Sequence, residues 1–428
     1  MKQLYALFAM LGACAMPALA AWDGTSAAWT AGDGSETSPY IIANEQQFAY
    51  FADKVTGGES YEGKFFRLCA DLDMSADAGK TIRPIGLYDD YSVEDVVYNE
   101  SKPFCGVFDG NYHTIDNITV KPVFAEAGND DNVGGVGLFA VLKNGAVVRN
   151  LKLGKKAHID ATERLSPSSG GIAGMVYNST VENCLNAGTV SGGTMTCGGI
   201  VGSLESGSAV RGCAFTGIVN GHSFSGGIVG DAHGAEITDC YNTGAVSAPG
   251  APYVSGIVSW VESGKTERCY TTAAVTGNAG TTFLPGATPV CSEYEKSTAA
   301  DCFYVEALCG VKPVVEQAGV KAVTEEQLKS EEILAALNGS GNAWTAGADG
   351  GFPVLAWESR QPASLTETSV AGGAAVSVAG GAISAAGEYF DVYGITGVKL
   401  YGGNASFSPS AKGIYIVVCG GKTLKVTL

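Results

Sequence analysis

Gly170-Gly171-Ile172-Ala173-Gly174, Gly198-Gly199-Ile200-Val201-Gly202 and Gly226-Gly227-Ile228-Val229-Gly230 are copies of one pentapeptide. Gly137-Leu138-Phe139-Ala140 precedes them and Ser255-Gly256-Ile257-Val258-Ser259 follows. Measured from the glycine before the aliphatic pair, the steps from Gly137 to Gly171, Gly199, Gly227 and Gly256 are 34, 28, 28 and 29 residues. Each origin is followed by a second landmark: Leu151, Cys184, Cys213, Cys240 and Cys269. Val148, Val181, Val210, Ile237 and Thr266 stand just ahead of these, and Val190, Val219, Val246 and Val275 just behind the cysteines. A period of this size marks a solenoid, a propeller or an array.

Within each unit, short β-branched segments alternate with Gly, Asn and Ser, as in Asn178-Ser179, Asn186-Ala187-Gly188 and Ser191-Gly192-Gly193. These are turn residues, and no segment has the length or period of a helix. A propeller blade needs about 40 residues. The unit is therefore read as one coil of a parallel β-helix, with three strands and three turns. Like then stacks on like at one strand spacing, roughly 4.8 Å. The expected fold is all-β: a right-handed parallel β-helix with small helical caps at both ends, followed by a small C-terminal β-sandwich.

The Gly-Gly-Ile-Val-Gly units resemble the GLUG-motif repeat of bacterial surface proteins, which also occurs beside the catalytic part of some immunoglobulin A proteases. The segment from Phe104 to Ile115, with Asp109-Gly110-Asn111-Tyr112-His113, resembles the lead-in coil of such proteins. Pro39-Tyr40-Ile41-Ile42, Gln46-Gln47-Phe48, Phe66-Arg67-Leu68 and Asp71-Leu72-Asp73 are similar to their N-terminal cap, and Gly351-Phe352-Pro353-Val354-Leu355 to their closing strand. The resemblance covers roughly Trp22 to Trp357. It implies a fold and does not imply an activity.

The 428 residues include 60 glycines, only 16% are charged, and the formal net charge is −17. That balance speaks against nucleic acid and anionic membranes as partners. Residues 1–20 read as a signal peptide: Lys2, an apolar run from Leu4 to Met16, and the cleavage site Ala18-Leu19-Ala20, which starts the mature chain at Ala21. The rival is a lipobox, Leu11-Gly12-Ala13-Cys14, with lipid on Cys14. Both place the protein outside the cell or on its surface, and no later apolar run is long enough to span a membrane.

Residues 21–358 form the β-helix, with the repeat array at about 135–276. Asn44 and Gln47 predict a capped helix whose Phe48, Phe51, Ala52 and Val55 plug the solenoid's open end. Tyr88 to Glu100 and Ala125 to Asn132 read as loops off the coils. Asn129-Asp130-Asp131-Asn132 lacks the spacing of an EF-hand. Ala300-Asp301-Cys302 echoes the cysteine landmark and predicts a last coil. Thr324 to Leu337 reads as one capped helix, and Trp344 with Phe352 to Trp357 as a C-terminal cap.

Residues 359–387 read as a linker, in which Ala375 to Val378 can form a strand. Residues 388–428 carry alternating strands. Lys412-Gly413-Ile414-Tyr415-Ile416-Val417 and the terminal Lys425-Val426 resemble the β-sandwich sorting domain of type IX secretion. That resemblance implies passage across the outer membrane through the secretion machinery.

Chain export usually favours disulfides. Directly stacked Cβ atoms, however, stand roughly 4.8 Å apart, beyond the ~3.8 Å of a disulfide. Cys184, Cys213, Cys240 and Cys269 are therefore expected as free thiols inside the core. With no C-x-x-C or paired histidines at ligand spacing, no metal or cofactor is expected.

Alternation along the glycine-rich strand places Phe139, Ala173, Val201, Val229 and Val258 on an outward apolar stripe with Trp260 beside it. The stripe is expected either under a loop or the C-terminal domain, or as a partner-binding face. Carboxylates and cations group as Asp231, His233, Glu236 and Asp239 in one coil and Lys265, Glu267 and Arg268 in the next. No Ser-His-Asp pattern, H-E-x-x-H or P-loop occurs, and no acid recurs at a matching position in adjacent coils. His113 belongs to the lead-in motif, and His222 and His233 read as turn residues. The expectation is a non-catalytic adhesion, binding or scaffold protein with no catalytic residues, whose ligand is a glycan or a surface protein. The alternative is a polysaccharide lyase or hydrolase.

Overall fold

The computed structural model describes residues 22–360, except 76–80, 89, 94–95, 100, 123–133, 163–167, 193, 281–284, 295 and 314–315; beyond these it describes 376–379, 382–385, 389–394, 399–408, 414–419 and 422–427. Residues 1–20, read above as a signal peptide and including Cys14 of the rival lipobox, and the Asn129 to Asn132 segment lie outside the described residues.

The repeat is an all-parallel β-solenoid. One coil runs through Ser168–Gly170, Ala173–Val176, Thr180–Glu182, Leu185–Asn186 and Thr189–Ser191 before Thr196–Gly198 opens the next. The coil therefore has five short strands, not three. The extra corner falls inside the glycine motif. Gly171 and Ile172 form a bend between two strands, so a stretch that reads as one strand turns midway. Equivalent strands stack into two nine-stranded and three six-stranded sheets.

The repeat registers hold across the stack. Val148 pairs with Val181, Val210, Ile237 and Thr266 in succession, and Val190 with Val219, Val246 and Val275. Leu151, Cys184, Cys213, Cys240, Cys269 and Cys302 are fully buried, and all the cysteines among the described residues are free thiols. Cys302 belongs to the predicted last coil, because Phe303 pairs with Tyr270. Each thiol leans on a carbonyl of its own chain, as Cys240 Sγ does on Thr238 O at 3.1 Å. Burial pushes the thiols of Cys213, Cys240 and Cys269 well above their ordinary range, and the hydrogen bond with Cys269, followed by burial, does the same for Cys302.

Two devices make the narrow coil possible. At the corner before each landmark the backbone is left-handed, with φ between 49 and 58° at Asn150, Asn183, Gly212, Asp239, Arg268 and Asp301. Asn, Asp and Gly tolerate that region best. Arg268 is the exception, and Asp239 holds its guanidinium in two hydrogen bonds of 2.8 and 2.9 Å. The second device is the origin glycine. A Cβ on Gly227 would overlap the Asn242 amide and the Gly256 carbonyl. Asn242 donates from Nδ2 to that carbonyl at 2.8 Å and accepts from Gly244 N at 2.7 Å. Asn186 repeats both bonds one end of the array earlier, to Gly199 O and from Gly188 N.

The N-terminal end is closed as predicted. Helix Glu45–Thr56 starts at Asn44, whose side chain accepts from Gln47 N, and it buries Phe48, Phe51, Ala52 and Val55. Phe51 touches Phe66, Phe104, Phe108 and Phe139 with ring centroids 4.6–6.1 Å apart. Of the expected loop from Tyr88 to Glu100, the described part is a hairpin, Asp90–Val93 against Val96–Asn99.

The C-terminal segment departs from expectation twice. The single helix is two, Glu325–Leu328 and Glu331–Asn338, because Ser330 breaks the first and caps the second. The segment also runs back along the side of the solenoid. Leu328, Leu337, Trp344, Leu355 and Trp357 pack with Ala214, Tyr241, Tyr270 and Phe303, outward residues of four successive coils. Trp357 Nε1 reaches Gly212 O at 2.8 Å, and Arg360 reaches the Tyr112 hydroxyl at 2.9 Å. This side is the covered flank.

At the C-terminus, Phe390–Gly394, Lys399–Gly403, Ile414–Cys419 and Lys422–Thr427 form an antiparallel sheet. The hairpin Val376–Ala379 and Ala382–Ala385 lies in the stretch read as linker. Ile383 and Ala385 nevertheless share one core with Phe390, Val392 and Val417.

Candidate functional site: the open flank

The predicted outward stripe is inside. Phe139, Ala173, Val201, Val229 and Val258 do stack on one another, but each has no exposed surface. The reason is the corner at Gly171-Ile172. Two-residue alternation does not run through a bend, so Ile172 and Ala173 both turn inward. The glycine that follows is the residue that faces away, against the backbone of the neighbouring strand. A Cβ on Gly202 would press on Ser169, and one on Gly230 on Cys197.

The outer surface belongs to the next column. Ser203, Asp231 and Trp260 are in register, and two residues further along lie Glu205, His233 and Glu262, of which the last two are paired directly. Successive same-face residues stand roughly 6.8 Å apart along a strand, and coils roughly 4.8 Å apart. These six side chains therefore tile a patch about 7 by 10 Å. Asp231, Trp260, Glu205, His233 and Glu262 are half-buried at its surface.

His233 joins the patch together. Its Nε2 lies 3.2 Å from Asp231 Oδ2 and its Nδ1 3.4 Å from Glu262 Oε2. The hydrogen bond to Asp231 and the charges of Asp231, Glu205 and Glu262 lift the imidazole to about 9, so it is a cation at neutral pH. Ser203 donates to Glu205 at 2.9 Å, and burial pushes the Glu205 carboxyl up. Among the described residues none donates to Asp231 Oδ1.

Beside this patch, Phe224 and Tyr253 are register partners and stack at 4.8 Å, 7° from parallel. Trp260 stands nearly perpendicular to both, at 6.0 and 5.0 Å. Those three distances make a compact triangle, which puts the indole beside the stack and not on its end. All three rings are half-buried.

The seven grouped candidates therefore separate. Asp231 and His233 belong to the patch, and His233 is a strand residue between two carboxylates, not a turn residue. Glu236 pairs with Arg211 at 3.1 Å. Asp239, Glu267 and Arg268 form one chain of ion pairs, joined by Lys265 to Glu267 at 2.9 Å and by Trp344 Nε1 to Asp239. That chain pins the covered flank. Of the other histidines, His113 Nδ1 is 3.0 Å from Asp71 in the lead-in coil.

Sequence reading missed Glu205, Glu262, Phe224 and Tyr253. The signal was present in the repeat arithmetic. Glu205, His233 and Glu262 are spaced 28 and 29 residues apart, and Phe224 and Tyr253 are spaced 29 apart. Two acids therefore do occupy matching positions, two coils apart with His233 between.

No family model matches the chain. Over 196 residues, 44% of the chain, it is 30% identical to halomucin of Haloquadratum walsbyi, and the match spans 2% of halomucin's length. A solved structure from Bacteroides ovatus, named as a candidate immunoglobulin A1 protease, superposes with a TM-score of 0.49 at 20% identity, covering 77% of this chain and 95% of that one. No helix among the described residues is long and apolar enough to cross a membrane.

Proposed function

We propose that this chain is an exported solenoid displayed at a surface, where it works as a non-catalytic binding or adhesion module. One observation carries the reading. The solenoid has two aromatic flanks, and the chain covers one with its own C-terminal segment while leaving Phe224, Tyr253 and Trp260 half-exposed on the other. Exposed aromatic groups next to fixed polar groups are the ordinary make-up of a recognition surface. Stacked coils suit them to extended partners. The stretch of likeness to halomucin agrees with a surface location. The GLUG-type repeat, a leader ending at Ala20 and a type IX sorting role for residues 388–428 belong to the same proposal.

Polysaccharide cleavage is the second reading. It is favoured by the acids around His233 and by the raised Glu205, since glycoside hydrolysis needs one protonated and one ionised carboxyl. One experiment separates the two. The protein is passed over immobilised host and bacterial polysaccharides, and both retention and glycan size are recorded. Retention at unchanged size is expected. Shortened chains would overturn the non-catalytic reading, and absence of retention on every glycan and on surface-protein extracts would overturn the binding role itself.

A further inference from the structure

We infer that the open flank docks a cationic, extended protein segment, which lays an apolar side chain against the Phe224–Tyr253 stack and a Lys or Arg on the carboxylates of Glu205, Asp231 and Glu262. The inference rests on the binding role proposed above and narrows its ligand from glycan or protein to a basic protein segment.

The apolar half is the first support. Among the described residues of the solenoid wall, Met195 and Ile218 are the large hydrophobic side chains left exposed, at 51% and 47%. Both lie beside the stack. Met195 O accepts from Phe224 N at 2.8 Å. Ile218 stands on the same coil as Phe224, one corner earlier, in strand Ile218–Asn220. With the half-exposed rings of Phe224 and Tyr253 they make an apolar area next to the polar outward residues Thr189, Ser191, Asn220 and Ser247. An exposed apolar area rimmed by polar residues marks a contact surface. Ile218 offers no hydrogen bond and Met195 only a weak acceptor, so the area suits an apolar side chain better than sugar hydroxyls.

The charged half is the second. Glu205, Asp231 and Glu262 outnumber His233, which is already held between Asp231 and Glu262. Lys143, at the equivalent position two coils before Glu205, sits over the rings of Tyr88 and Tyr177. The patch therefore keeps a net negative charge, on a chain at −17, and complements a Lys or Arg. An anionic partner would meet like charge there.

The spacing joins the two halves. Trp260 stands between them: its ring centroid is 5.0 Å from that of Tyr253, and it is the register partner of Asp231, roughly 4.8 Å away. An extended chain covers the sum, roughly 10 Å, in about three residues. The docked segment therefore carries its basic side chain about three positions from its apolar one.

The test is fluorescence anisotropy of three labelled dodecapeptides with the full mature chain at pH 7. Their repeating units are Lys-Phe-Lys-Gly, Lys-Ser-Lys-Gly and Glu-Phe-Glu-Gly. The first is expected to bind, and the other two at least about tenfold more weakly. Glu205→Gln with Glu262→Gln should weaken the first peptide about tenfold, and Met195→Ser with Ile218→Ser about fivefold. Circular dichroism melts confirm that these variants fold. Glu331→Gln with Glu332→Gln removes two exposed acids of the C-terminal cap and should change nothing. Equal binding of the anionic peptide, equal loss in the cap variant, or unchanged affinity in either open-flank variant overturns the inference. If the wild-type chain is retained on a glycan or a surface-protein extract and the first peptide does not bind, this ligand falls and the binding role stands. If the chain is retained on nothing and binds no peptide, both fall.

Discussion

The two flanks of the solenoid carry the same aromatic device and put it to different ends. On the covered flank Tyr241 and Tyr270 stack at 5.2 Å, 3° from parallel, and are nearly inaccessible. On the open flank Phe224 and Tyr253 stack at 4.8 Å, 7° from parallel, and are half-exposed. Stacking is a by-product of the repeat: identical positions recur at one strand spacing, so flat side chains fall face to face. It does not by itself say whether a ladder is structural. Cover does. Where Trp344 and Trp357 lie over the ladder, the phenols find partners inside the chain, Tyr270 on Pro353 O at 2.6 Å and Tyr241 on Glu358 at 3.0 Å. On the other flank Phe224 and Tyr253 stay half-exposed and stand beside a charged patch.

The comparison breaks most visibly at tryptophan. Trp357→Ala should cost about 3–5 kcal/mol in chemical unfolding, since it empties a packed site and strands the Gly212 carbonyl. Trp260→Ala should cost about 1 kcal/mol or less and act on binding instead. Equal losses would mean that the open flank is structural too. Asn242→Ala tests the scaffold common to both flanks. It removes two buried hydrogen bonds and should cost about 2–3 kcal/mol.

The flanks should also titrate apart. Burial raises the Glu358 carboxyl against Tyr241. The folded chain then holds that proton more tightly than the unfolded one, so stability falls as pH rises above about 4.5, and Glu358→Gln should flatten that limb. His233 is raised from 6.5 to about 9, so its contribution is complete below about 6.5 and lost as pH climbs through 9. Because the imidazole is 38% exposed, solvent screening reduces that loss to about 1 kcal/mol. Melting curves of His233→Asn from pH 6 to 10 should show no such limb.

The smallest effect is on thiol labelling. In the native chain Cys69, which is exposed, should react with an alkylating reagent while Cys184, Cys213, Cys240, Cys269 and Cys302 stay protected. Because these thiols sit one residue before the covered ladder, Trp357→Ala should speed their labelling and Trp260→Ala should not. Rapid labelling of the wild-type ladder would place the cysteines outside the core.

Much of the scaffold was legible. The cysteine and valine columns, the helical plug with Phe48 and Phe51, and the final coil at Cys302 follow from the period and from side-chain type. The site was half legible. Asp231, His233 and Trp260 were singled out, but Glu205, Glu262, Phe224 and Tyr253 become visible only when columns are read across coils. The stripe failed for a local reason: Gly171-Ile172 bends, and a face assignment by alternation is valid only along a continuous strand.

The sequence by itself determined that the chain stacks on itself, with which spacing, and which residues share a column, because a repeat of 28 or 29 residues leaves one parallel register available. Only the tertiary structure decided which columns face water. That depends on corners whose backbone turns within the motif, and on a C-terminal segment that folds back over one flank and not the other. The corners are set by contacts one coil away, as where a Cβ on Gly171 would meet the Gly199 carbonyl, and the fold-back by contacts more than a hundred positions apart, as with Trp357 and Gly212; alternation along a strand encodes neither.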